Sequence, residues 1–156
     1  MQNSSMDVRA AGPADIAPLL KLYRDLQPDD EDLDIDVALA RWEMLRRYPG
    51  SDIFVGRLGS QLVTTCTLVV IPNLTRNGAP YALIENVVTG AGHRRRGFGK
   101  AVLIEAINAA WAAECYKVML LTGSTQPGTL KFYHDVGFEQ NKTGFQIRHI
   151  PPRPSA

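Results

Sequence analysis

The stretch His93-Arg94-Arg95-Arg96-Gly97-Phe98-Gly99-Lys100 lies between an apolar, strand-like run at Tyr81–Thr89 and a long helical pattern at residues 97–114. The first amides of a helix have no intrahelical acceptor, and the helix dipole adds partial positive charge at that end. A phosphate or pyrophosphate is the natural guest of such a start. Gly97 and Gly99 keep the backbone bare for close approach, and three arginines add formal charge. A basic run before a helix is also often a solvated loop, and arginine-rich segments bind nucleic acid. Spacing excludes two other phosphate motifs. A P-loop ending at Gly99-Lys100 needs glycine and a hydroxyl where this chain has Arg94 and Ala101. A dinucleotide fingerprint needs a third glycine, but Lys100, Ala101 and Val102 follow.

The chain of 156 residues suits one domain able to bury a core without staples. A net charge of +1 argues against a broad electrostatic grip on nucleic acid. Cys66 and Cys115 are too few for a disulfide framework and read as small buried residues. His93, His134 and His149 show no metal-ligand spacing with them, so no metal is expected. Residues 1–6 lack the apolar run of a signal peptide and no segment is long enough to span a bilayer, so a cytoplasmic location is the expectation.

Working outward, residues 7–10 alternate as a first strand. Pro13-Ala14-Asp15 opens a helix with Ile16, Leu19, Leu20, Tyr23 and Leu26 at helical spacing. Residues 27–34 form an acidic loop, and Asp36 is expected to cap a second helix that Pro49-Gly50 ends. Asp32, Asp34, Asp36 and Glu43 stand at calcium-loop positions, but Val37 replaces the glycine that such a loop requires. Residues 53–58 and 62–71 make a hairpin through Gly59-Ser60. The loop 72–80 turns at Asn77-Gly78 and leads into Tyr81–Thr89. The helix after the arginines is expected to bury Leu103, Ala106, Ile107, Ala110 and Trp111. Residues 117–121 read as a strand covered on both faces. A helix from Gln126-Pro127 through Asp135 stops at a left-handed Gly137, and residues 138–139 and 145–150 read as closing strands. The order β-α-α-β-β-β-α-β-α-β-β gives an α/β fold, a mixed sheet with helices on both faces.

Two motifs stand on these elements in order. Arg94-x-x-Gly97-x-Gly99 resembles the acyl-coenzyme A pyrophosphate loop of the GNAT acetyltransferases, Gln/Arg-x-x-Gly-x-Gly/Ala. Phe132-Tyr133-His134-Asp135-Val136-Gly137-Phe138 is similar to the family's Phe-Tyr-x-x-x-Gly-Phe segment. The resemblance covers residues 6–150 as a single GNAT domain, with residues 1–5 and 151–156 as flexible tails. It implies acetyl-coenzyme A as co-substrate and transfer to a primary amine of a small molecule by direct attack in a ternary complex. A non-catalytic acyl-coenzyme A-binding sensor or regulatory module is the alternative. Homodimerisation is a family habit that comes with the resemblance.

The resemblance also implies roles. Arg94, Arg95, Arg96, Gly97, Phe98, Gly99 and Lys100 would hold the pyrophosphate. Val87, Val88 and Thr89 would bind the pantetheine arm through backbone groups, with the Val88 N–H as oxyanion donor; two valines on a central strand are equally compatible with plain core. Tyr133 would be the general acid, since a phenol with a pKa near ~10 can protonate a leaving thiolate; an aromatic pair at a helix end is also ordinary packing. Glu85 interrupts an apolar run and is expected, by strand alternation, to face the same side as Val87. It is read either as the base acting on the ammonium, or as a salt-bridge or surface group. Ser124 stands where many members have an asparagine touching the coenzyme. Ile84-Glu85-Asn86-Val87-Val88 and Phe145-Gln146-Ile147-Arg148 are similar to strands of glucosamine-6-phosphate N-acetyltransferases, which makes Arg148 a substrate candidate. Carboxylates of the acidic loop would attract a cationic amine.

Overall fold

A computed structural model describes residues 5–152; most of the tails expected at 1–5 and 151–156 lies outside the described residues. The chain forms two compact units, Met1–Leu120 and Leu121–Ala156.

The first unit is built on a five-stranded sheet in the order β1-β2-β3-β4-β5. Its strands are β1 (Asp7–Ala10), β2 (Asp52–Leu58), β3 (Gln61–Ile71), β4 (Tyr81–Thr89) and β5 (Val118–Leu120). Neighbours are antiparallel except β4 and β5, which run parallel. A parallel pair needs a crossover, and α3 (Phe98–Ala112) supplies it. The hairpin turn at Gly59-Ser60 joins β2 to β3 as the sequence indicates.

Alternation splits the side chains of the strands between two layers. Val55, Leu62 and Val88 pack with Ile16, Leu19 and Leu22 of α1 (Ile16–Tyr23) and with Ala38 and Trp42 of α2 (Ile35–Arg46). On the other face, Cys66 Sγ donates to the Val102 carbonyl of α3 at 3.7 Å. Val102, Leu103, Ala106 and Ala110 are fully buried there, and the two alanines suit close approach of helix to sheet. Ile107 is only half-buried and Trp111 is 50% exposed, so the buried stripe of α3 is narrower than its spacing suggests.

The buried start of α1 is held by ions. Asp15, 2% exposed, accepts Arg9 Nη1 and Arg57 Nη1, each at 2.6 Å, and the Gly12 N–H at 2.8 Å. These bonds hold its carboxyl well below the usual carboxylate range, at about 2. The cap of α2 is Asp34, whose Oδ1 accepts the amides of Asp36 and Val37, rather than Asp36. The residue that caps must itself lie outside the helix, and Asp36 is already in the first turn.

Two expectations about strands fail. β5 has three residues, with Met119 exposed, so it is an edge strand and not one covered on both faces. The closing strands at 138–139 and 145–150 are absent: those residues carry no regular secondary structure, with Phe145 92% and Ile147 100% exposed. An alternating pattern supplies only a preference for extension; a strand also requires a partner edge.

The second unit contains α4 (Pro127–Val136). It ends at Gly137 (φ 116°) as expected, with Phe138 N–H bonded to the Tyr133 carbonyl and Gly137 N–H to the His134 carbonyl. No helix among the described residues is long and apolar enough to cross a membrane.

Candidate active site

Strand β4 sets the geometry of the site. Glu85 pairs with Thr67 and Val88 with Thr65, so Asn86 and Val87 together oppose Cys66. Asn86 takes a left-handed φ of 52° to make this bulge. The extra residue resets alternation. Glu85 and Val88 now share the α1–α2 face through their partners Thr67 and Thr65, and the expectation that Glu85 faces with Val87 is overturned. Glu85 is also exposed rather than buried, so the desolvation argument for a special role falls away.

On its other side β4 pairs with β5 only at Ala82, Leu83 and Ile84. Beyond Ile84 the two strands no longer bond, and the edge of β4 that carries Val87, Val88 and Thr89 has no strand partner among the described residues. On the β3 side, Thr64 Oγ1 donates to the Val88 carbonyl at 3.2 Å and meets Thr89 Oγ1 at 2.9 Å. The end of the strand is therefore fixed from one side and open on the other.

Thr89 leads directly into the arginine loop. Gly90 N–H bonds the Val63 carbonyl at 2.9 Å, and Ala91 N–H bonds Asp25 Oδ2 at 3.1 Å. Arg94 turns back, with Nε donating to the Thr89 carbonyl at 3.2 Å. Arg95 has φ 59°, and Gly97 caps α3 at φ 82° with open space where a Cβ would stand. No side chain caps the helix. The first intrahelical bond is Ala101 N–H to the Gly97 carbonyl, so the amides of Phe98, Gly99 and Lys100 lack intrahelical acceptors. The Arg96 guanidinium lies 4.9 Å over the Phe98 ring, at the same helix end. Bare backbone, outward amides and clustered cations fit a diphosphate.

The remaining candidates belong to the second unit. Tyr133 is half-buried on α4, its ring 5.1 Å from Phe132 and 6.1 Å, edge-on, from Phe138. Ser124 Oγ accepts the Gln126 amide at 3.2 Å and so serves the start of α4. Arg148 is exposed on the irregular segment after α4.

Three features escaped the sequence reading. The bulge at Asn86 is one. Tyr23 is another: its hydroxyl bonds the side chains of Thr67 and Thr65, opposite the bulge, and burial raises its pKa. The third is a cleft of about 220 Å³ beside Tyr23, between α1, α2 and the bulge. A polar residue inside an apolar strand was the only signal for the first, and an aromatic at a helix end for the second. Burial pushes the Cys66 thiol up to about 12, and raises that of Cys115 as well, so neither is a ready nucleophile.

The profile of the acetyltransferase (GNAT) family matches residues 18–138. A glucosamine 6-phosphate N-acetyltransferase of Trypanosoma brucei brucei is 30% identical over 113 residues, 71% of this chain and 75% of the relative. A solved structure from Agrobacterium tumefaciens str. C58, provisionally named an acetyltransferase, is 50% identical; the match covers 92% of this chain and 99% of that one, with a TM-score of 0.85. The aminoglycoside N-acetyltransferase AAC(6')-Iy, solved in complex with CoA, shares the fold at 17% identity and a TM-score of 0.79, over 94% of this chain and 96% of its own. With the open strand edge and the glycine-capped helix start in place, the chain belongs to the acetyltransferase (GNAT) family.

Proposed function

We propose that this protein is an acetyl-coenzyme A-dependent N-acetyltransferase acting on the primary amine of a small molecule. The observation that carries the reading is the parting of β4 from β5 after Ile84, which leaves an open strand edge running straight into the amides of Phe98, Gly99 and Lys100. Bound acetyl-coenzyme A supplies a thioester, an acyl carbon already activated toward an amine. The chain's own groups do the rest. The amides at the start of α3, with Arg94, Arg95, Arg96 and Lys100, hold the diphosphate. The edge at Val87, Val88 and Thr89 offers backbone groups to the pantetheine arm. The Val88 carbonyl, and with it the Val88 N–H, turns toward β3, so the oxyanion is stabilised by an N–H on the open side of the strand. Tyr133 donates a proton to the departing thiolate, and Glu85, exposed beside the bulge, accepts one from the incoming ammonium through water.

Direct transfer within a ternary complex is favoured over an acyl-enzyme. A Cys66 thiol held at about 12 is ionised at pH 7 in only roughly one molecule in 100,000, too little for an efficient nucleophile. The glucosamine 6-phosphate enzyme of Trypanosoma and the aminoglycoside enzyme both support an amine acceptor. The test is calorimetric titration with coenzyme A, followed by thiol release from acetyl-coenzyme A over a panel of amines. Saturable binding together with amine-dependent release is expected. A flat titration would remove the transferase reading, and binding without release would favour a sensor module.

A further inference from the structure

The cleft beside the bulge has a composition that selects among amines. Its wall is Leu19, Leu20 and Tyr23 of α1, Ala38, Trp42 and Leu45 of α2, with Ile53 of β2 beneath and Leu33 at the rim. Trp42 is fixed by its Nε1–H to Asp52 Oδ1 at 3.3 Å and lies under the Arg46 guanidinium. The polar groups on the wall are few. Thr67 and Tyr23 bond one another, which leaves Asn86 and, at the exposed rim, Arg41. No carboxylate lines it. Asn86 belongs both to this wall and to the bulge, and so joins the cleft to the strand edge at Val87 and Val88.

A polyhydroxylated sugar placed here would lose water from its hydroxyls with almost nothing to replace it. A second ammonium would meet Arg41 and find no carboxylate on the wall itself. A hydrocarbon body meets neither obstacle. An apolar cavity of about 150 Å³ holds a benzene ring, so 220 Å³ has room for a ring with a short chain.

We infer that the acceptor is a primary amine carried on an aliphatic or aryl body, seated between α1, α2 and the Asn86 bulge. The assignment rests on the transferase reading and names its substrate class. It departs from the phosphorylated amino sugar of the Trypanosoma relative and from polycationic aminoglycosides.

The test uses phenethylamine and glucosamine 6-phosphate on a Trp111→Phe background, where Trp42 is the remaining tryptophan. Trp111 lies half-exposed on α3, away from the cleft wall. Titration with phenethylamine should change Trp42 emission saturably, and its kcat/KM should exceed that of glucosamine 6-phosphate roughly tenfold or more. Leu33→Gln changes an exposed loop residue at the rim, and should raise the KM for phenethylamine while leaving that for acetyl-coenzyme A in place. Equal or better use of glucosamine 6-phosphate, or no effect of Leu33→Gln, overturns the inference. A silent Trp42 with thiol release by hydroxylated amines overturns it and leaves the transferase reading standing. A saturable Trp42 response with no thiol release from any amine overturns the transferase reading and the acceptor assignment with it.

Discussion

Arg57 Nη1 stands 2.6 Å from Asp15 Oδ1, across forty-two positions of sequence, and pins the start of α1 to β2. The carboxyl is held at about 2, chiefly by its hydrogen bond from Arg9, against ~3.9 in an unfolded chain. A folded-state pKa below the unfolded one stabilises the fold above the unfolded value, and that stabilisation is lost as pH falls through the folded value. Linkage over the difference gives about 2 kcal/mol, present above pH ~4 and gone near pH ~2. Asp15→Asn should lower stability at neutral pH by a similar amount and flatten the acid limb. Urea unfolding at a series of pH values from 2 to 7 checks it; an unchanged acid limb in the variant would refute the linkage.

The start of α3 depends on a conformation that glycine adopts without strain. Gly97 is at φ 82°, and its missing Cβ faces open space. Gly97→Val should cost about 1–2 kcal/mol of stability through the left-handed backbone. It should also weaken coenzyme A binding by roughly tenfold, because the added side chain occupies the approach to the Phe98 and Gly99 amides. Calorimetry and thermal melts separate the two effects. Loss of stability with unaltered coenzyme affinity would move the diphosphate away from this turn.

Much of this was readable from local pattern. An apolar run between Pro80 and Gly90 gave β4 its observed limits, Tyr81–Thr89, and Gly97 marked the helix start to within one residue. Local pattern fails where the deciding contact is distant. Alternation within β4 assumes a constant register, and the slip opposite Cys66 becomes visible only when β3 lies beside it. The Arg9–Asp15–Arg57 cluster joins residues that no window contains together. Between Asp34 and Asp36, two neighbouring carboxylates with the same chemistry, sequence could not say which one stays outside the helix. The segment 145–150 has the spacing of a strand, yet pairing is a property of two segments and not of one.

The bulge can be tested apart from catalysis. Asn86 tolerates φ 52° better than most residues, and a β-branched side chain tolerates it poorly. Asn86→Val should cost about 1–2 kcal/mol and loosen residues 85–89, seen as faster amide hydrogen exchange there. Asn86→Gly should keep the backbone and most of that stability. Equal exchange in the two variants would show that the register slip does not depend on this residue's left-handed turn.

Tyr133 offers a ring for packing and a hydroxyl for the proposed proton transfer. The ring contacts Phe132 and Phe138, and the helix end is fixed by backbone bonds around Gly137 that need no hydroxyl. Tyr133→Phe keeps the ring and the backbone turn and removes the phenolic proton. If the phenol protonates the departing thiolate, its loss removes a general acid, worth about 10²-fold or more in kcat. The KM for acetyl-coenzyme A should hold if the diphosphate is bound at the α3 start, as proposed. Steady-state thiol release with both substrates varied measures each constant. A kcat close to that of the parent enzyme, with a lowered melting temperature, would assign Tyr133 to packing and leave the proton to water.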